Sequence, residues 1–352
     1  MKPFYLLFLF LPMLAFCKPG DVIWKFHTDG PVYSSPCVSG GKVFAGSYDT
    51  HLYCLDMNTG AEIWKYQTKG FVVSSPCVAD KKVYFSSDDW SLYSLHTDNA
   101  ALIWKGYLGY NSSSSPTIVG DRLYIGCMYY LFCMSTKNGK PLWSNWSWGV
   151  YLSSPGLSDT SVYVGVNDAL HCVNAKSGKV QWRYEMTGGV LSSPEVWANK
   201  VYFGGDDGFV YCLDAKTGKL VWKYDTGIDL NSSPAIIDGK VYIGSKQGYL
   251  YCMDASAGSV VWKFDTGDWV ETSPCVADGK VFFGGHNGQF YCLDAASGSV
   301  IWQTAIGAVI ESSACVSGGK VYFGADDGNI YCLESGTPPN ISAGNSISGQ
   351  KY

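Results

Sequence analysis

The sequence predicts an all-β fold: an eight-bladed β-propeller of four-stranded antiparallel blades, the last blade closed by the N-terminal strand. Three observations predict it. Tryptophan recurs at Trp24, Trp64, Trp104, Trp143, Trp182, Trp222, Trp262 and Trp302, in steps of 40, 40, 39, 39, 40, 40 and 40 residues, and a fixed period of that size marks a repeat architecture. Each repeat divides into four short segments rich in Val, Ile, Tyr and Phe with Gly or Asp between them, too short for helices. The chain opens on the fourth segment of a repeat and closes on the first three of one.

The repeat from Asn231 to Gly267 shows the logic. Ser232 to Ile237 is a first strand, and Asp238-Gly239 a turn. Val241 to Ser245 is a second strand, Gln247-Gly248 another turn, and Tyr249 to Asp254 a third strand. Gly258 opens the fourth strand, Val260 to Phe264. Asp-Gly loops favour antiparallel hairpins because both residues tolerate positive φ. In the third strand Tyr251 and Met253 point one way, Leu250 and Cys252 the other. Both faces therefore need covering, and stacking such sheets around an axis covers them.

Pro36, Pro76, Pro116, Pro155, Pro194, Pro234 and Pro274 sit in first strands after small Ser or Thr residues. Proline cannot donate to a ladder and belongs on an edge, so the first strand is innermost and the tryptophan strand outermost. Blades start near Tyr33, Val73, Ser113, Leu152, Leu191, Asn231, Glu271 and Glu311. Gly20 and Trp24 supply the fourth strand that the final repeat lacks. The propeller spans residues 18–336. Residues 1–17 read as a secretory leader, with an apolar run from Phe4 to Phe16 and small residues Ala15 and Cys17 before a cleavage point. Residues 337–352 read as a flexible tail rich in Pro, Ser and Gly.

The run Asp214-Ala-Lys-Thr-Gly218-Lys-Leu-Val-Trp222 resembles the tryptophan-docking motif of the pyrroloquinoline quinone (PQQ)-like repeat family, and the copies ending at Trp64, Trp182, Trp262 and Trp302 are similar. The resemblance covers roughly residues 20–336. It implies eight blades with the tryptophans docked between them. Quinoprotein dehydrogenases, the lipoprotein that assists outer-membrane protein assembly, and cofactor-free secreted propellers all belong to that family, so the resemblance leaves function open.

A net charge of −5 without basic runs argues against nucleic acid and anionic membrane partners. The thirteen cysteines suggest disulfides until they are placed. Cys54, Cys133, Cys172, Cys212, Cys252, Cys292 and Cys332 recur at one third-strand position, and Cys37, Cys77, Cys275 and Cys315 at one first-strand position. Those strands are separated by the second, near 10 Å apart and beyond disulfide reach. Small buried hydrophobes are the expectation, with pairing across blades as the rival.

Loops joining a fourth strand to the next first strand share a face with the second-to-third hairpins, around the mouth of the axial funnel. Asn231, Glu271 and Glu311 occupy equivalent positions of three successive blades there, with Asp229, Trp269 and Trp148 nearby. Three converging oxygen donors could hold Ca²⁺, and a tryptophan could stack on a quinone or sugar; solvated polar residues at a wet mouth are the plainer expectation. The hairpin aspartates are expected to serve turn chemistry, and His27, His51, His96, His171 and His286 show no catalytic pattern.

The reading that follows is a secreted, non-enzymatic, monomeric propeller whose top face and funnel bind a protein or glycan partner. No catalytic residue, cofactor or membrane span is expected. Two alternatives are implied by the resemblance. One is a PQQ- and calcium-binding oxidoreductase. The other is a cell-envelope or periplasmic assembly scaffold, lipid-anchored at Cys17.

Overall fold

The computed structural model describes residues 17–146 and 153–343. The apolar leader, Trp148 and the blade-four start at Leu152 lie outside the described residues. The described chain is all strand and turn, in eight sheets. Each sheet follows chain order, except that Val22–His27 pairs with Asn329–Glu334 to complete the eighth. Trp24 stands opposite Cys332 and His27 opposite Asn329. The eight-bladed propeller closed by its N-terminal strand is the architecture observed.

In blade six the strands are Ala235–Ile237, Lys240–Gly244, Tyr249–Asp254 and Val260–Asp265. Tyr251 and Met253 bury against blade five, and Leu250 and Cys252 against blade seven. Asp238 and Gly239 both take positive φ, 52° and 72°, as a tight hairpin needs. The next hairpin differs from its expected two-residue turn. Gly248 alone is left-handed at φ 89°, and its N–H donates to Ser245 O at 3.1 Å in a three-residue loop.

The innermost strand is also shorter than expected, because its serines bond outside the ladder. Ser232 Oγ accepts the Gly244 N–H at 3.0 Å, tying the first strand to the second. Ser233 donates its N–H to Oγ of Ser273 in the next blade at 3.0 Å. That second bond recurs through Ser35, Ser75, Ser115, Ser154, Ser193, Ser233, Ser273 and Ser313 and back to Ser35, at 2.8–3.1 Å, forming a closed ring around the axis. Small size near a crowded axis is only part of why serine stands there; its hydroxyl satisfies a backbone donor of the preceding blade.

At the rim, each indole N–H donates to a carbonyl of the next blade, as Trp222 does to Ala255 O at 3.0 Å and Trp262 to Ala295 O at 3.2 Å. Trp302 reaches Ser335 O, so the same bond serves the blade closed by the N-terminus.

All thirteen cysteines are unpaired, and ten of them are buried. Beyond Gly336 the chain does not leave the propeller at once. Ser342 and Ala343 pair with Ser317 and Val316, adding a fifth strand to the inner edge of blade eight. Cys275 Sγ lies 3.4 Å from Ala343 O.

Candidate functional site at the funnel mouth

In blades six to eight, two side chains per blade reach the mouth. One precedes the first small hydroxyl residue of its blade, as Asn231, Glu271 and Glu311 precede Ser232, Thr272 and Ser312. The other opens the second-to-third hairpin. Its backbone N–H donates into the same blade's lead-in loop: Lys246 to Asp229 O at 3.3 Å, His286 to Trp269 O at 2.9 Å, and Asp326 to Val309 O at 3.0 Å. The two positions are therefore held side by side. The mouth opens into an axial cavity of about 230 Å³ lined by the serine ring and by Leu191, Asn231, Glu271 and Glu311.

Glu271 is the hub. Its Oε1 accepts from Asn231 Nδ2 at 2.6 Å and lies 3.5 Å from Lys246 Nζ. Its Oε2 lies 2.8 Å from His286 Nε2, a close ion-pair contact that is not aligned as a hydrogen bond. Glu311 Oε1 stands 3.7 Å from the same imidazole nitrogen. Asp229 approaches Lys246 at 3.7 Å. Trp269 lies with its ring 5.4 Å from that of His286 and 5.3 Å beneath Lys246 Nζ.

The charges divide unevenly. Contact with His286 holds Glu271 below the usual carboxylate range, and Glu271 in turn raises His286. Burial, then the charges of Asp326 and Glu271, push Glu311 up. Burial likewise raises Asp326, Asp206 and Asp88. Carboxylates thus outnumber cations around blades five to eight.

Across the axis the face is aromatic. Phe71, Trp90, Tyr107, Tyr110, Met128 and Trp146, all on blades one to three, are each at least 38% exposed. Tyr48 stacks on Phe71 with centroids 4.7 Å apart.

Asn231, Glu271, Asp229 and Trp269 come together as neighbours, and Glu311 joins them through His286. The oxygen triad expected from Asn231, Glu271 and Glu311 differs in one respect: Asn231 turns its amide nitrogen to Glu271, and an imidazole occupies the third place. His286 and Lys246 were absent from the expected site. Their signal was positional, since each opens the hairpin of a blade whose lead-in residue is polar. The hairpin aspartates also divide into two sets. Asp49, Asp207 and Asp327 accept from the hydroxyls of Tyr53, Tyr211 and Tyr331 at 2.6–2.7 Å, whereas Asp88, Asp206 and Asp326 open their hairpins toward the mouth.

A family profile described as outer membrane protein assembly factor BamB matches residues 15–146 and 130–337. No curated protein sequence matches the chain. Among solved structures, BamB from Moraxella catarrhalis is similar at a TM-score of 0.77 and 14% identity, covering 89% of this chain and 99% of that one. A europium-containing methanol dehydrogenase is similar at 0.77 and 16%, covering 87% and 85%. A quinohemoprotein alcohol dehydrogenase from Comamonas testosteroni is similar at 0.74 and 14%, covering 94% and 78%. At such identities these likenesses show the fold alone.

Proposed function

The chain belongs to the PQQ-like repeat propeller family described as outer membrane protein assembly factor BamB, and from that premise we propose that it is a non-enzymatic binding propeller of the cell envelope whose top face docks a protein partner. The observation that carries this reading is the aromatic surface of blades one to three. Exposed apolar residues elsewhere, such as Val221, Val261 and Ile301, are aliphatic neighbours of the rim tryptophans, while the large exposed aromatics gather on the top face. Trp, Tyr and Met are the side chains enriched where proteins meet. The leader at 1–17 is the route to the envelope on this reading, with cleavage favoured over acylation at Cys17.

The family also includes enzymes that use PQQ, a planar tricarboxylate. The mouth residues do not fit that group. Glu271, Glu311, Asp326, Asp206 and Asp229 would face its carboxylates with Lys246 and, when protonated, His286 as the cations close at hand, and an excess of like charges at short range is costly. Trp269, expected as a stacking surface, already carries Lys246 and His286 against its ring.

The test is site-specific photo-crosslinking in the native host. A crosslinker at Trp90 or Trp146 is expected to give a discrete adduct, and one at Val221 on the rim none. Absence of a top-face adduct, or dye-linked alcohol or sugar oxidation after adding PQQ and Ca²⁺, overturns the reading.

A further inference from the structure

Within the mouth, one cluster has the build of a cation site and does not depend on the docking reading. Glu271, His286 and Glu311 each offer a ligand atom, and the three atoms lie within 4.8 Å of one another. They come from three separate segments: the lead-in loops of blades seven and eight, and the hairpin of blade seven. We propose that Glu271, His286 and Glu311 form a binding site for a divalent transition-metal ion of the zinc class, with water completing the shell.

The distances suit this. Ligands bound to one tetrahedral zinc at about 2.0–2.1 Å stand about 3.3 Å apart. The imidazole nitrogen lies 2.8 Å from Glu271 Oε2 and 3.7 Å from Glu311 Oε1, values on either side of that spacing. All three ligand atoms lie within 4.8 Å of one another, so seating the ion needs the two carboxylates to close by at most about 1.5 Å.

The surroundings suit it as well. Glu271 divides its oxygens: Oε1 is held by Asn231 and Lys246, which leaves Oε2 turned to the imidazole. Such outer contacts fix a ligating carboxylate in place. Among the described residues, Glu311 has no cation within salt-bridge distance other than His286, and Asp326 adds to its charge repulsion. A divalent ion would relieve that repulsion. The imidazole selects the class, since calcium takes oxygen ligands whereas nitrogen suits zinc and its neighbours.

The experiment uses the full chain, freed of metal with chelator and titrated with Zn²⁺ alone or Ca²⁺ alone. Calorimetry and the fluorescence of Trp269 report binding. One Zn²⁺ per chain is expected, bound more tightly than Ca²⁺. H286N and E311Q should each weaken it by at least ~10-fold. H96Q, at an exposed third-strand end in blade two, should leave it unchanged. A second measurement needs no variant: Zn²⁺ should protect His286 in the native protein from diethylpyrocarbonate, located by peptide mass mapping. No stoichiometric binding, an H286N affinity within ~2-fold of the native chain, unprotected His286, or a preference for Ca²⁺ would each overturn the site. A negative crosslinking result would leave it standing.

Discussion

The backbone N–H of Ser313 donates to Oγ of Ser35 at 3.0 Å, carrying the serine ring across the junction between the last blade and the first. S35A removes that acceptor and leaves the donor beside a wet channel. A loss of about 1–2 kcal/mol is expected, the cost of a partly buried unsatisfied group. S75A, within the continuous chain, should lose a similar amount. Urea unfolding with an unchanged m-value is the check.

Glycine before the rim tryptophan is required twice over. Gly298 has φ +72°, and a Cβ there would meet Trp262 Cδ2 at 2.6 Å. Gly267 has φ +77° with nothing within 4 Å. G267A should therefore cost only the left-handed backbone, about 1–2 kcal/mol, and G298A about 2–4 kcal/mol with its clash added. Equal melting temperatures for the two variants would remove the steric half of the explanation.

The mouth carboxylates give opposite pH signatures. Glu311 is raised in the folded chain, so folding favours its protonated form and its ionisation costs stability above the ordinary value of 4.5. E311Q should raise Tm at pH 7 by about 1–2 °C and have no effect near pH 3. The Glu271–His286 contact behaves otherwise. The lowered Glu271 contributes above its unfolded value of 4.5, and that contribution is lost as pH falls through its folded value. The raised His286 contributes below its unfolded value of 6.5, and that is lost as pH rises through its folded value. In metal-free buffer H286N should destabilise most between those two values, and less at pH 9. Differential scanning calorimetry across pH tests both signs.

Burial pushes the thiols of Cys54, Cys275 and Cys292 up to about 12. In the chain expressed with residues 1–17 retained, a thiol reagent at pH 8 should label exposed Cys17 at once and the buried thiols only on unfolding, when all thirteen react. Truncation after Gly336 removes the strand lying over Cys275 and should speed its labelling. Extensive oxidation of the native protein would mean that the thiols pair across blades.

Strand order, blade number and closure were legible because each depends on local pattern: a tryptophan every 39 or 40 residues, a proline in seven of the eight first strands, and a repeat split between the two termini. Those patterns determine which edge lacks a partner, and Val22–His27 supplies it. The lead-in residues Asn231, Glu271 and Glu311 were legible for the same reason, as equivalent positions in successive repeats. Only the tertiary structure decided that His286 and Lys246 share their site, that Asn231 presents nitrogen to Glu271, and that Ser342 and Ala343 return to the inner edge of blade eight. Periodicity places a backbone position, because hydrogen-bonded ladders repeat. Which side chains from neighbouring blades touch depends on their lengths, charges and tilt at one convergence point, and no single repeat contains that information.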